Sequence, residues 1–243
     1  MGITNLLRKT HKAAVCFLNP NFRKALKHKV AAAIEHRQIL AQLKPDLVLD
    51  VGANIGQFAL VARDAFPNTP IISFEPLPQA AEVLSKVMNG DRNFQLKNFA
   101  LGETPSKQMI NVTQKNDSSS LLGLSTKHQD LYGSKVANQI EIEVKKLDDA
   151  LSTAELGKST LLKIDTQGFE LAVLKGAQKH FKNIKWIYAE LSFQELYYGQ
   201  PLASEVIVWL ADNGYNLSGV YSTSYGPNNQ AIQADMLFEK VVA

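Results

Sequence analysis

The stretch LVLDVGANIGQFAL, residues 47–60, constrains the fold more than any other part of the chain. An apolar run climbs to an acid, Asp50; Gly52 and Gly56 then bracket Asn54, and a helical pattern follows. A strand, a tight glycine turn and a helix start in that order are how a doubly wound α/β sheet opens a nucleotide site. The rest of the chain keeps the rhythm. Phe58, Val61, Ala62, Ala65 and Phe66 fall on one helical face, PIISFEP reads as a second strand ending in Glu75, and Leu77, Ala80, Ala81, Leu84, Val87 and Met88 form the next helical face before Gly90. FQLKNFALG reads as a third strand; TLLKID, IKWIYAEL, YNLSGVYS and AIQADMLFEK follow, with helical patterns at 168–181 and 202–213. Apolar strands alternating with amphipathic helices predict a mainly parallel sheet covered on both faces.

Residues 103–139 break this alternation with a polar, Ser- and Gly-rich stretch too long for an ordinary connection, the kind that serves as a lid or binding loop. Its flanks, KQMINVT and IEIEVKKL, alternate and predict an extra hairpin. The 243 residues thus read as one α/β domain, 46–243, behind an extension, 1–45. That extension has no acidic residue before Glu35, while Arg8, Lys9, Lys12, Arg23, Lys24, Lys27 and Lys29 are basic and interleave with Leu6, Leu7, Val15, Phe17, Leu18 and Phe22. Two readings stand: weak peripheral contact with an anionic membrane or acidic partner, or a helical arm packed on the domain. The apolar run 13–18 is too short for a signal-peptide core or a membrane span, and Leu6 occupies the position where myristoylation wants Ser or Thr, so a cytoplasmic protein is expected. A net charge of +3 is too mild to imply nucleic acid. A single cysteine, Cys16, excludes an internal disulfide framework, and the five histidines form no zinc-ligand spacing.

In an open parallel sheet the ligand sits beyond the carboxyl ends of the strands, where Asp50, Gly52, Asn54, Glu75 and Asp165 all fall. Asn54 holds a side chain where a dinucleotide site wants a bare glycine, and no phosphate-loop run exists. An acid before the loop suits an ammonium or sulfonium cation, and an acid one strand later can take both ribose hydroxyls. Together these favour S-adenosylmethionine over NAD or ATP, with the adenine expected near Ala100 and Leu101.

DVGANIGQF, FEPLP, NFALGE, NDSSSL, LLKIDTQGFELAVLKGA and ADMLFEK, in this order, resemble the FkbM-type methyltransferase family, over roughly residues 46 to 240. The resemblance implies a Rossmann-like class I methyltransferase fold with seven strands, the last antiparallel, and O-methylation of a hydroxyl on a sugar, glycan or secondary metabolite. An alcohol attacks poorly unless its proton is taken, so a base must stand within hydrogen-bond reach. Asp165, at the end of LLKID, is the first candidate, with a partner for Lys163 or a helix cap as its structural alternative. Glu190, ending IKWIYAEL, is the second, and Glu170 reads as structural support for a helix start. Ser118, Ser119 and Ser120 offer hydroxyls to the cofactor carboxylate or the acceptor; Tyr197, Tyr198, Tyr221 and Tyr225 are candidates to stack on a sugar ring. A Mg²⁺ held by Asp165 and Glu190 would also lower the acceptor's pKa, but a third side-chain oxygen is not obvious, and direct base catalysis ranks higher. A non-catalytic nucleoside-binding scaffold and an NAD-type oxidoreductase remain the competing classes.

Overall fold

The computed structural model describes residues 2–114 and 118–241. The side chains of residues 2–9, hence Leu6, Leu7, Arg8 and Lys9 of the basic arm, lie outside what is described, as does the start of the serine run at 116–117.

Period-two alternation explains the central sheet. In β1 (Leu47–Val51), Leu47, Leu49 and Val51 pack on one face and Val48 on the other. β1 pairs in parallel with β2 (Ile71–Phe74) and with β7 (Thr160–Ile164). β3 (Phe94–Lys97) extends the sheet beyond β2, and β8 (Ile184–Ser192) beyond β7, both parallel. β10 (Ala231–Lys240) then runs antiparallel between β8 and β9 (Tyr215–Tyr225), giving the seven-stranded order β3-β2-β1-β7-β8-β10-β9. One face is covered by α8 (Glu170–Lys175) and α9 (Ala203–Asp212), the other by α4 (Gln57–Ala65) and the short α3 (Arg37–Leu40). This is the expected fold: α/β, Rossmann-like, mostly parallel, with its last strand antiparallel.

Two expected elements differ. FQLKNFALG is not one strand, because at Asn98 the chain turns out of the sheet: the Asn98 amide donates to the Glu75 carbonyl at 2.6 Å. The continuation, β4 (Ala100–Leu101), joins a second sheet with β5 (Ser106–Thr113) and β6 (Val136–Lys145), ordered β4-β6-β5. β5 and β6 are the predicted hairpin. The helical pattern over 168–181 splits into α8 and a 3-10 turn, Gln178–His180, because the Gly176 backbone sits against the carbonyl of Gly102. The lid stretch carries its own helix, α6 (Thr126–Tyr132), capped by the Ser125 hydroxyl.

From Cys16 to Leu43 the extension packs on the domain. Cys16 at the end of α1 (Gly2–Leu18) and Phe22 and Ala25 of α2 (Pro20–Leu26) share a core with Ala59 and Leu60 of α4 and with Leu84 of α5 (Pro78–Val87). Lys12 pairs with Glu35 at 3.0 Å. No helix among the described residues is long and apolar enough to cross a membrane.

Candidate active site

A cavity of about 620 Å³ opens over the carboxyl ends of β1, β2, β7 and β8, large enough for a drug-sized ligand. Its floor is the predicted glycine turn. Gly52 and Asn54 both adopt left-handed backbone (φ 77° and 47°), and a Cβ on Gly52 would strike the Asp165 carbonyl oxygen, so only glycine lets the turns after β1 and β7 meet. Gly56 also has a positive φ and caps α4, but it packs toward Leu84 rather than lining the cavity.

Glu75 follows β2 at the cavity wall. Its Oε2 accepts the Asn54 amide and its Oε1 the Leu77 amide, both at 2.8 Å. Burial, against those two amides, lifts its pKa to about 7. Each oxygen keeps a second lone pair for an incoming hydroxyl. Ala100, Leu101, Phe74, Leu77 and Phe169 supply an apolar wall beside it, and Ser119 and Ser120 bring the lid to the same cavity.

The other end is polar because strand periodicity carries polar residues across one face of the sheet. Ser73 and Lys163 stand in register on either side of Asp50, Tyr188 is in register with Lys163, and Asp235 with Glu190. Asp50 is fully buried in this row and does not line the cavity, contrary to a direct role against a cofactor cation: Ser73 donates to its Oδ2 at 3.1 Å, and its Oδ1 faces the Lys163 ammonium at 3.8 Å. The same ammonium lies 3.4 Å from Asp165 Oδ2. Burial works against the Lys163 charge, but Asp165, Asp50, Asp235 and Glu190 outweigh it and hold its pKa above the usual lysine value.

Asp165 and Glu190 do converge. A residue the sequence reading passed over, Gln167, joins them: its Nε2 donates to Asp165 Oδ1 at 2.7 Å and to Glu190 Oε2 at 3.2 Å. Tyr197 fixes the amide by donating to Gln167 Oε1 at 2.6 Å, and the Ser120 hydroxyl latches the lid to the Gln167 carbonyl at 2.6 Å. Gln167 has a positive φ, and the one signal of it in the sequence is the adjoining Gly168 of DTQGFE. Burial first, then Asp165 and Asp235, push the Glu190 pKa well above the carboxylate range. Asp235 is likewise raised, to about 7, by burial and Asp165.

His36, from the first 45 residues, completes this wall. Its Nδ1 lies 2.9 Å from the Tyr188 hydroxyl and 3.6 Å from Asp235 Oδ2, and burial with nearby Lys163 lowers its pKa to about 4. Glu170 is structural: its Oε1 gathers the Thr166 amide and hydroxyl and the Gly168 amide. None of Tyr197, Tyr198, Tyr221 and Tyr225 lines the cavity. Among the described residues, no group of three or more His, Cys, Asp or Glu side chains is placed to hold a metal ion.

A sheet of this order, with a glycine turn after its first strand and acids at the ends of the next, defines a Rossmann-like methyltransferase fold. The chain belongs to the family described as the methyltransferase FkbM domain, whose model matches residues 50–217. It is 29% identical over 188 residues to the 2-O-methyltransferase NoeI of Sinorhizobium fredii, covering 74% of this chain and 77% of that protein. It is 29% identical over 171 residues to methyltransferase sdnD of Sordaria araneosa, covering 59% of this chain and 65% of that relative. Among solved structures, a precorrin-6y C5,15-methyltransferase from Geobacter metallireducens aligns over 87% of this chain and 94% of its own, at 13% identity and a TM-score of 0.48. His36 and Asp235 both lie outside the matched span, yet line the same cavity.

Proposed function

We propose that the protein is an S-adenosylmethionine-dependent O-methyltransferase whose acceptor is a hydroxyl on a sugar, glycan or secondary metabolite, acting in the cytoplasm. Residues 46–243 form the catalytic domain, and Lys12, Lys29, Ala31, Ala33, Glu35 and His36 of the preceding extension close one wall of its cavity. The observation that carries the reading is the division of one cavity into a Glu75 end, with a paired-amide carboxylate beside an apolar wall, and an Asp165–Gln167–Glu190 end. The fit to the cofactor rests on this donor set. Glu75 takes the ribose hydroxyls, Ala100 and Leu101 flank the adenine, the Gly52–Asn54 turn receives the amino-acid portion, and Ser119 adds a hydroxyl from the lid. When bound, the cofactor supplies an electrophilic methyl group.

Lys163 and Gln167 hold Asp165 by one oxygen each. Asp165 is also the more open of the paired carboxylates, its side chain about one third exposed (34%), so an acceptor hydroxyl entering the cavity meets it first. In this reading Asp165 orients that hydroxyl and takes its proton, while Glu190, its pKa pushed up by burial and by Asp165, adds less negative charge beside it. The lid latch from Ser120 to Gln167 keeps water from the same space. Hydroxyl chemistry is also what the name of the Sinorhizobium relative states for that protein. The test is twofold. Calorimetry with S-adenosylhomocysteine should show binding, and methyl-labelled S-adenosylmethionine incubated with fractionated glycan and metabolite pools should leave label in a base-stable ether. Absence of cofactor binding sinks the reading; label found only in base-labile ester or in amine overturns the hydroxyl assignment.

A further inference from the structure

α1 has two unlike faces. Val15 and Cys16 turn inward, Cys16 into the core with Phe22 and Ala25, and Lys12 reaches Glu35. At 100° per residue, positions 10, 13, 14, 17 and 18 fall within an arc of about 140° on the other side. They are Thr10, Ala13, Ala14, Phe17 and Leu18, and all five are exposed. Phe17 is 62% and Leu18 77% accessible, with Leu26 at the end of α2 adding to the same segment at 37%. Burial of large apolar side chains is what an amphipathic helix ordinarily achieves with its apolar face. Here that face looks outward.

The surroundings are cationic. Arg23 sits over the Phe17 ring at 5.9 Å, and Lys24, Lys27, His28 and Lys29 are exposed just beyond. No acidic residue precedes Glu35 in the sequence, and Glu35 is already paired with Lys12. Nucleic-acid backbone would satisfy the charges but leave Phe17 and Leu18 in water. An apolar groove on another protein would satisfy Phe17 and Leu18 but not a surrounding belt of four Lys and Arg side chains. An anionic lipid surface takes both, since apolar side chains enter the acyl boundary while Arg and Lys stay among the headgroups.

We propose that the exposed face of α1, with the basic residues of α2 and the loop after it, docks the protein on anionic membrane surfaces. This stands apart from the methyl-transfer reading, because Phe17, Leu18, Arg23, Lys24 and Lys27 do not line the cavity. The docking side chains and the cavity are nevertheless neighbours in the chain: Lys12 and Lys29 of the same segment line its rim.

The experiment is sedimentation of the full chain with vesicles of phosphatidylcholine alone and of phosphatidylcholine with phosphatidylserine at about 7:3. Binding is expected to the mixed vesicles only, and to fall as salt rises. A basic side chain near an anionic surface is worth about fivefold in partition, so reversing Arg23, Lys24 and Lys27 to Glu should weaken binding by about a hundredfold or more. Phe17→Ser with Leu18→Ser should weaken it about tenfold at unchanged charge. Both variants should melt with the wild type and bind S-adenosylhomocysteine as it does, since every changed side chain is at the surface. No preference for the anionic vesicles overturns the proposal. So does binding indifferent to Phe17→Ser/Leu18→Ser, which makes the segment a simple polyanion site. Concentration-dependent self-association that the serine pair abolishes, without vesicle binding, makes it instead an interface between copies.

Discussion

Glu190 and Asp235 stand directly opposite one another on the antiparallel β8–β10 pair, a half-buried and a buried acid in register at the polar end of the cavity. Like charges facing each other across strands are destabilising, and burial makes them more so. Burial first, then Asp165, raises the Asp235 pKa from 3.8 to about 7, with Lys163, Ser222 and Tyr188 only partly opposing them. Folded protein then holds a proton at Asp235 that the unfolded chain gives up above pH 3.8. The stabilisation from that proton is complete below the unfolded value and is lost as pH rises through about 7. Glu75, lifted from 4.5 to about 7, acts in the same direction. His36 acts oppositely in a lower window, since its depressed value favours the fold above 6.5 and that favour is lost as pH falls through about 4. Asp235→Asn isolates one contribution. Its melting temperature relative to wild type should improve between about pH 5 and about pH 8, by an amount corresponding to a few kcal/mol at most. A gap that stays constant across that range would mean Asp235 titrates normally.

The two turn glycines make different demands. Gly52→Ala puts a methyl group against the Asp165 carbonyl, a backbone atom that cannot move without parting β1 from β7. Gly56→Ala meets Leu84 Cδ1 at 2.6 Å, the far end of a side chain that can rotate. Both also incur the cost of a positive φ. Gly52→Ala should cost about 3 kcal/mol or more and lower the melting temperature by roughly 6–12 °C. Gly56→Ala should cost visibly less. Thermal scans of both variants check the order, and equal losses would show that strain in the turn, not the close approach, governs Gly52.

Glu75 tests the cofactor end independently of turnover. Glu75→Ala removes the acceptor of two backbone amides and the expected acceptor of two ribose hydroxyls, each charge-assisted bond being worth about 1.5–3 kcal/mol before compensation. Glu75→Gln keeps the volume but turns an NH₂ toward one of the two amides. S-adenosylhomocysteine affinity should fall by at least tenfold in Gln and further in Ala, read by calorimetry on protein whose circular dichroism is unchanged. Unaltered affinity in Glu75→Ala would remove Glu75 from the cofactor site.

The strand-end acids were legible because each closes an apolar run: Glu75 after IISF and Asp165 after LLKI reach the cavity, as strand periodicity demands. The same periodicity also explains the misplaced Asp50. It lies one residue before the end of β1, so its side chain turns into the face shared with Lys163 rather than toward the ligand. Lys163 itself looked like an incidental charge in an apolar strand, yet a buried lysine needs buried acids, and only the register of five strands shows there are enough. His36 and Asp235 were invisible for another reason. They arrive from opposite ends of the chain, 199 residues apart by number (235 − 36), and nothing local marks either as facing the cavity. The turn at Asn98 that sends β4 to the second sheet depends on one side-chain bond to Glu75, which no propensity encodes.

Gln167 offers the sharpest test of the polar end. Its single amide nitrogen donates to both Asp165 and Glu190, and its oxygen is fixed by Tyr197, so the amide cannot flip without losing three bonds. Gln167→Glu replaces that donor by a carboxylate between two others. The three acids would repel, Asp165 would lose its orientation, and the Ser120 latch to the residue 167 backbone would be disturbed only indirectly. Asp165→Asn removes the proposed proton acceptor while keeping its shape. On the proposed reading Asp165→Asn lowers methyl transfer by about 10²–10⁴ with S-adenosylhomocysteine affinity near wild type, the usual loss for a general base. Gln167→Ala, which leaves Asp165 in place but less well held, should fall between that variant and wild type. Transfer of labelled methyl to the pool identified with the wild type measures all three. If Asp165→Asn keeps transfer within about threefold of wild type while still binding cofactor, proton removal passes to Glu190 or to His36, and the order of the Gln167 variants then shows whether the shared amide positions either of them.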